Sequence, residues 1–347
     1  MKVLVTADPL ITVPPVLYGG IERVIASLIE AYRAEGHEVA LVALPGSTVA
    51  VDAFYPWPMG PNDLSSLSSF WHNTLALTAA VCDFKPDVLH SFSRLAYLGP
   101  QLFTRLPKIM SYQREPSLRT TRWAARLAGD SLCFTGCSNQ LANKGRPAGG
   151  EWHGIPNFVD LSRFDAVEHV PLDAPLVFLS RLERIKGVHN AIAIARASGR
   201  RLIIAGNRVE SAEGQAYFET EIAPWLGRDG IEYIGPVDDA QKNRLLGSAA
   251  AMVVPIEWEE PFGIVFAEAL ACGTPVISTP LGAVPEIVRD GVEGLLLQDM
   301  SDGPVAVAAL AQISRRACRA RAEASFSLTE VAARYLALYR VRSGHSA

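Results

Sequence analysis

Nowhere in its 347 positions does the chain offer about 18 uncharged apolar residues in succession, so no segment reads as a membrane-spanning helix. The apolar stretch at residues 2–7 is too short for a signal peptide and no small-residue cleavage pattern follows it, which predicts a cytoplasmic protein. Cysteine is scarce. Cys82, Cys133, Cys137, Cys272 and Cys318 make an odd number, with no Cys-x-x-Cys pair and no histidine at zinc spacing, so they read as reduced core thiols rather than a disulfide or metal framework. Neither sign of charge prevails: 32 basic against 36 acidic residues leave a net charge of −4, which argues against a protein that coats nucleic acid. A Gly-x-Gly-x-x-Gly turn is also missing after the first strand, so a dinucleotide fingerprint fails.

What is present is the alternation of short β-branched runs with longer segments of helical period. Residues 2–6, 38–43, 87–91 and 108–112 read as strands, separated by helical stretches such as 21–35 and 74–82. After Asn157-Phe158-Val159-Asp160 the rhythm restarts, with strands at 176–179, 201–205, 232–234, 251–255 and 275–278. That pattern predicts an α/β chain with two doubly wound, Rossmann-like parallel sheets facing across a cleft. The first domain is expected over 1–158, a Pro-containing linker over 159–174 and the second domain over 175–327. A final helix at about 328–341, carrying Val331, Leu336, Leu338 and Tyr339, is expected to pack back onto the first domain.

Loops at the C-terminal ends of parallel strands are where open α/β sheets take ligands. Arg181 and Lys186 fall in such a loop, after the first strand of the second domain, where two cations can face one diphosphate. Solvated loop charges are the alternative. Further on, Glu260-Pro261-Phe262-Gly263-Ile264 precedes an apolar helix that Gly273 ends. Placing Pro261 in the first helical turn turns the amides of Phe262, Gly263 and Ile264 outward, toward an anion. Glu260 before the helix and Glu268 within it suit a ligand with hydroxyl groups on both sides of its phosphates, as in a nucleotide sugar. Helix-dipole compensation is the other reading of Glu260, but Glu268 among Val265, Phe266, Ala267, Ala269 and Leu270 needs a reason to be charged.

Glu260-x7-Glu268 in this setting, with Ser180-Arg181-Leu182, Lys186-Gly187, Gly282-Ala283-Val284-Pro285-Glu286 and Ile155-Pro156-Asn157-Phe158-Val159-Asp160, closely resembles the retaining glycosyltransferases of family 4, which have the GT-B fold. Phe158 stands where that family more often has glycine. The resemblance implies that Arg181 and Lys186 hold the donor diphosphate, that Glu268 binds the ribose hydroxyls, and that Glu260 with the amides of Phe262, Gly263 and Ile264 faces the transferred sugar. It implies a UDP- or GDP-sugar donor, no cofactor, and no metal, in keeping with the lack of any Asp-x-Asp sequence.

In the first half, Gly19-Gly20 opens a helix and resembles the glycine loop that closes over the donor phosphates, a plain helix start being the alternative. His90 ends a strand and is the candidate catalytic histidine, since Phe92 takes the second place of the family's His-x-His. Phe54, Tyr55, Trp57, Trp71 and His72 offer aromatic surface to a saccharide, lipid-linked or small-molecule acceptor, or else belong to the core. Arg105, Lys108, Arg114, Arg119, Arg122 and Arg126 with Trp123 form a basic stretch suited to an anionic acceptor or to a peripheral contact at the inner membrane face, against the plainer reading of a solvated helix face. Nucleic acid is not an expected partner. A non-catalytic carbohydrate-binding protein of the same fold, and a phosphorylase or nucleotide-sugar epimerase on the same architecture, are the rival readings.

Overall fold

The computed structural model describes residues 1–15, 19–61 and 66–344, which divide into two compact units. Unit 1 comprises residues 1–157 together with the chain from Leu328 onward, and unit 2 is the continuous segment Phe158–Ser327.

In unit 1, β1 (Lys2–Thr6), β2 (Glu38–Ala43), β3 (Ala53–Pro56), β4 (Val88–Ser91), β5 (Lys108–Tyr112), β6 (Leu132–Gly136) and β7 (Glu151–Gly154) form one parallel sheet in the order β3-β2-β1-β4-β5-β6-β7. Its inner strands are buried on both faces, as their unbroken apolar runs require. α1 (Gly20–Ala34), α2 (Leu67–Phe84), α3 (Leu118–Ala128) and α4 (Asn139–Gly145) are the crossovers and α12 (Leu328–Ser343) returns from unit 2. The edge strand β3 and the strands β6 and β7 escape the sequence reading. β3 (Ala-Phe-Tyr-Pro) and β7 (Glu-Trp-His-Gly) hold no β-branched residue to mark them as strands.

Unit 2 repeats the plan. Its strands are β8 (Leu176–Leu179), β9 (Leu202–Ala205), β10 (Ile231–Tyr233), β11 (Ala251–Val253), β12 (Val276–Ser278) and β13 (Gly294–Leu296). They lie parallel in the order β10-β9-β8-β11-β12-β13. The helices that matter to the site are α5 (Val188–Ala197), α7 (Asp239–Ser248), α8 (Ile264–Ala271) and α11 (Arg315–Phe326). β13 was also missed by the sequence reading.

Residues 159–174 are not a free linker. The amide of Val167 donates to Cys272 O at 3.1 Å, and Arg315 of α11 donates through Nε to Val167 O at 2.6 Å. The same guanidinium reaches Ala249 O at 2.7 Å, Gly247 O at 2.9 Å and the Thr274 hydroxyl at 3.0 Å. One planar cation thus satisfies carbonyls of several segments at once and straps the segment to unit 2.

The C-terminal helix belongs to unit 1. Val331, Ala332, Tyr335, Leu336, Leu338 and Tyr339 are buried there, and Tyr339 meets Tyr32 of α1 edge-on with ring centroids 5.5 Å apart. No helix among the described residues is long and apolar enough to cross a membrane.

Candidate active site

In unit 2 the chain order reverses direction between β8 and β11, which lie side by side while β9 runs on the far side of β8. Such a switch point opens a crevice at the C-terminal ends of the strands. The loop after β8 delivers Lys186 and the loop after β11 delivers Glu260. The two side chains meet directly, Lys186 Nζ donating to Glu260 Oε2, with the residues only 9% and 8% exposed. Trp258 Nε1 donates to the same oxygen at 3.0 Å, and the Lys186 ammonium lies 4.7 Å from the Trp258 ring centroid.

Glycine makes this approach possible. Gly187 has φ +75°, and a Cβ there would fall 2.0 Å from Pro255 O, so only a bare backbone lets the two loops touch. The loop after β12 joins from the other side: Ala283 N donates to Glu260 O at 2.8 Å, and a Cβ on Gly282 would lie 2.3 Å from the Glu260 backbone. Three strand ends therefore converge on Glu260.

Directly after it, Gly263 is left-handed (φ 83°) and α8 begins at Ile264. This corrects the sequence reading. The helix does not start at Pro261, because the left-handed residue interrupts the turn. Of the three amides proposed, only that of Ile264 belongs to the helix start, while those of Phe262 and Gly263 lie in the loop. The Phe262 ring is core, edge-on to Phe326 with centroids 5.8 Å apart.

Arg181 shares the β8 loop but is half exposed and pairs with Glu183 at 2.9 Å rather than with Glu260. Glu268 stands four residues into α8, where Lys242 of α7 donates to it at 2.6 Å. Lys242 is the partner the sequence reading missed. A carboxylate on an apolar helix demands a cation, and that demand was the available signal. Among the ion pairs of unit 2, Lys186–Glu260 and Lys242–Glu268 thus engage the two glutamates singled out in the sequence, with a helix start beside the first.

Residues 167–317 match the family described as glycosyl transferases group 1, and residues 18–163 match glycosyltransferase family 4. The chain belongs to the family 4 glycosyltransferases. This transferase is 25% identical over 378 residues to the glycogen synthase of Mycobacterium tuberculosis, spanning 92% of the chain and 90% of that protein. Over 135 residues it is 34% identical to the D-inositol 3-phosphate glycosyltransferase of Mycolicibacterium smegmatis, which covers 38% of the chain and 31% of that protein. Among solved structures, a glycosyltransferase involved in avilamycin A biosynthesis superposes with a TM-score of 0.72 at 25% identity, covering 99% and 98% of the two chains. An Anabaena protein crystallised with UDP-glucose superposes with a TM-score of 0.70 at 16% identity, covering 97% and 100%. The two doubly wound sheets are those of the GT-B fold.

The transferase's unit 1 treats its candidates differently. His90 is fully buried, with Nε2 bonded to the Ser111 hydroxyl at 2.6 Å and Nδ1 to the Tyr339 hydroxyl at 2.5 Å. Burial holds its pKa down to about 3. The proposed catalytic role for His90 is therefore withdrawn: a neutral imidazole sealed between β4, β5 and α12 reaches no substrate. Gly19 caps α1 where a Cβ would lie 2.7 Å from Pro15 and 2.9 Å from Glu22 Oε2, whereas a Cβ on Gly20 would meet open space. Tyr18, before the glycine pair, lies outside the described residues.

Of the aromatic set, Trp57 is core, its Nε1 donating to Ala7 O at 2.8 Å, and Tyr55 donates to Asp83 at 2.6 Å. Phe54 is exposed on the edge strand β3. Trp71 and His72 are exposed on α2. Lys108 is not a surface cation, because its ammonium is buried against Thr104 O at 3.0 Å and Leu106 O at 2.6 Å, and burial lowers its pKa to about 8.

One further group escaped the sequence reading. Asp8 follows β1 at the C-terminal edge of the sheet, with Oδ2 3.8 Å from Arg94 Nε and Oδ1 buried without a hydrogen-bond partner among the described residues. Burial raises its pKa against the opposing fields of Arg94 and Arg114. Glu22, buried in the first turn of α1, is raised for the same reason.

Proposed function

We propose that this glycosyltransferase moves a sugar from a nucleotide diphosphate donor to an acceptor hydroxyl with retention at the anomeric carbon and without a metal ion. The single observation that carries the reading is the Lys186–Glu260 pair at the switch point of unit 2, backed by Trp258 and set beside the start of α8. Lys186, Arg181 and the first amides of α8 supply positive charge to the leaving diphosphate, the part a divalent cation otherwise plays. Glu260 accepts from hydroxyls of the transferred sugar, and Glu268, oriented by Lys242, accepts from the ribose. A UDP- or GDP-sugar is the donor this reading favours, and the Anabaena neighbour crystallised with UDP-glucose supports the uridine case.

In the step proposed, the bond from the anomeric carbon to the diphosphate oxygen breaks. The acceptor oxygen bonds to the same face of that carbon, and the acceptor's proton passes to the leaving phosphate. Asp8, whose Oδ1 has no hydrogen-bond partner among the described residues, binds the acceptor at the sheet edge of unit 1, whether a saccharide, a lipid-linked or a small-molecule acceptor. With five free thiols, we place the enzyme in the cytoplasm.

The test is a thermal-shift screen against UDP-, GDP-, ADP- and dTDP-sugars, followed by donor turnover with EDTA present. A nucleotide sugar should stabilise the protein and turnover should survive chelation. No stabilisation by any donor defeats the reading, and abolition by EDTA defeats its metal-free form.

A further inference from the structure

Between Val88 and Gly129 the chain carries seven arginines and lysines and a single acid, Glu115, although the whole molecule is net negative. Glu115 is already engaged by Lys144 at 3.0 Å. Lys108 is internal, so the surface share of this charge is set largely by the arginines. α3 lies on the outside of unit 1 and buries only Thr121 and Ala124. Its remaining circumference presents Arg119, Arg122 and Arg126 on one arc and Trp123 and Leu127 on the next, as the 100° step per residue dictates. Trp123 is 60% exposed.

Beside it, the 3-10 stretch Leu95–Phe103 packs against α3 and leaves Phe103 74% exposed. Arg119, Arg126 and the neighbouring Arg105 make no hydrogen bond or ion pair among the described residues. A water-facing helix of a soluble protein gains nothing from a bare Trp, a bare Phe and unpaired arginines in one place; large exposed apolar groups rimmed by like charge mark a contact surface.

Between Phe103 and Leu127 the surface dips into an open hollow of about 530 Å³, with Thr104, Arg105, Asp130, Ser131 and Arg342 on its polar side, Arg342 being paired with Glu151 at 2.7 Å. Pro107 and Ser131, which line it, immediately precede β5 and β6, so the hollow sits at the N-terminal edge of the sheet. That is the edge opposite to Asp8.

We propose that the outward face of α3 with Phe103 and Arg105 is a docking surface for an anionic phospholipid bilayer. Arginine guanidinium groups pair with headgroup phosphates, while Trp123, Phe103 and Leu127 enter the boundary between headgroups and acyl chains. The mixture decides the occupant. Phosphate pairing alone would suit nucleic acid equally, but apolar side chains projecting among the arginines need a medium that is charged at its surface and apolar just beneath it. Docked this way, the C-terminal edge of the sheet, where Asp8 lies, stays open to substrate. The inference stands apart from the choice of donor, because it is read without turnover.

The experiment is co-sedimentation of the full chain with vesicles of phosphatidylcholine alone and with vesicles in which about a third of the lipid is phosphatidylglycerol. Binding to the anionic vesicles only is expected, weakening as salt is raised. Arg119→Ala with Arg122→Ala and Arg126→Ala should lower partitioning about a hundredfold. Trp123→Ser with Phe103→Ser should lower it at unchanged charge, which separates insertion from simple attraction. Circular dichroism and melting temperatures close to those of the parent protein keep both variants interpretable. Equal binding to both vesicle types, undiminished anionic binding by either variant, full displacement by millimolar inorganic phosphate, or preference for an RNA duplex over the vesicles would each overturn the proposal.

Discussion

At the scale of single residues, the Lys186–Glu260 pair carries two jobs that mutation can separate. Lys186→Ala should reduce donor turnover by about two to three orders of magnitude, the usual loss when one charge-stabilising donor is removed. It should also destabilise the protein by about 3–5 kcal/mol, because Glu260 is left buried with Trp258 as its remaining side-chain partner. Adding Glu260→Ala should restore much of the stability and none of the turnover, measured by urea denaturation beside a donor-hydrolysis assay. Undiminished turnover in the single variant would end the assignment.

His90 calls for the opposite experiment. Its folded pKa of about 3 lies below the ordinary 6.5, so the unfolded chain binds the extra proton first. The stability it contributes is complete above about pH 6.5 and declines as pH falls toward 3, by up to about 1.4 kcal/mol per pH unit. His90→Gln should flatten that part of the stability profile. The same slope in the variant would show that another group titrates there. For Asp8, the Asp8→Asn variant should raise the acceptor KM while donor binding in a thermal-shift assay holds. A shift in donor affinity instead would move Asp8 out of the acceptor role.

At the scale of elements, the site depends on loops that only glycine allows to meet. Gly187→Ala adds a Cβ 2.0 Å from Pro255 O in a left-handed residue, so the β8 and β11 loops must separate and carry Lys186 away from Glu260. Gly235 is the matched control, with φ +82° and open space around its missing Cβ. Gly235→Ala should cost about 1 kcal/mol, the left-handed penalty alone. Gly187→Ala should cost more and weaken donor binding, as read by melting temperature with and without nucleotide sugar; identical behaviour of the two variants would refute the strapped-loop account. The element scale is also where reading from sequence fell short. Four strands, β3, β6, β7 and β13, passed unnoticed, since β3, β7 and β13 hold no β-branched residue and β6 only Thr135, so no β-branched run marks them. The start of α8 was misplaced by three residues because Pro261 favours a first turn, while the left-handed turn at Gly263 is chosen by packing.

At the scale of the whole molecule, unit 2 is continuous and unit 1 is closed by the last helix of the chain. Ending the chain after Ser327 removes six buried side chains and the hydroxyl of Tyr339 that bonds His90. At ~1.5–3 kcal/mol per large apolar side chain, that loss is comparable to the stability of a domain. Hydrogen exchange should then show unit 1 unprotected while β8, β9, β11 and β12 keep their protection; full protection of β4 and β5 in the truncated chain would contradict the role of α12.

Local order along the chain was enough to establish the α/β class, the restart near Asn157 and the family, and to single out Lys186, Glu260 and Glu268 as candidates, because each rests on residue type and spacing within one short segment. Pairing across the chain was not. That His90 faces Tyr339, that Lys242 answers Glu268, and that Arg315 straps residues 159–174 to unit 2 involve partners separated by 249, 26 and 148 positions. Only the folded sheet order brings such groups together, since burial and hydrogen-bond distance are properties of the packed molecule.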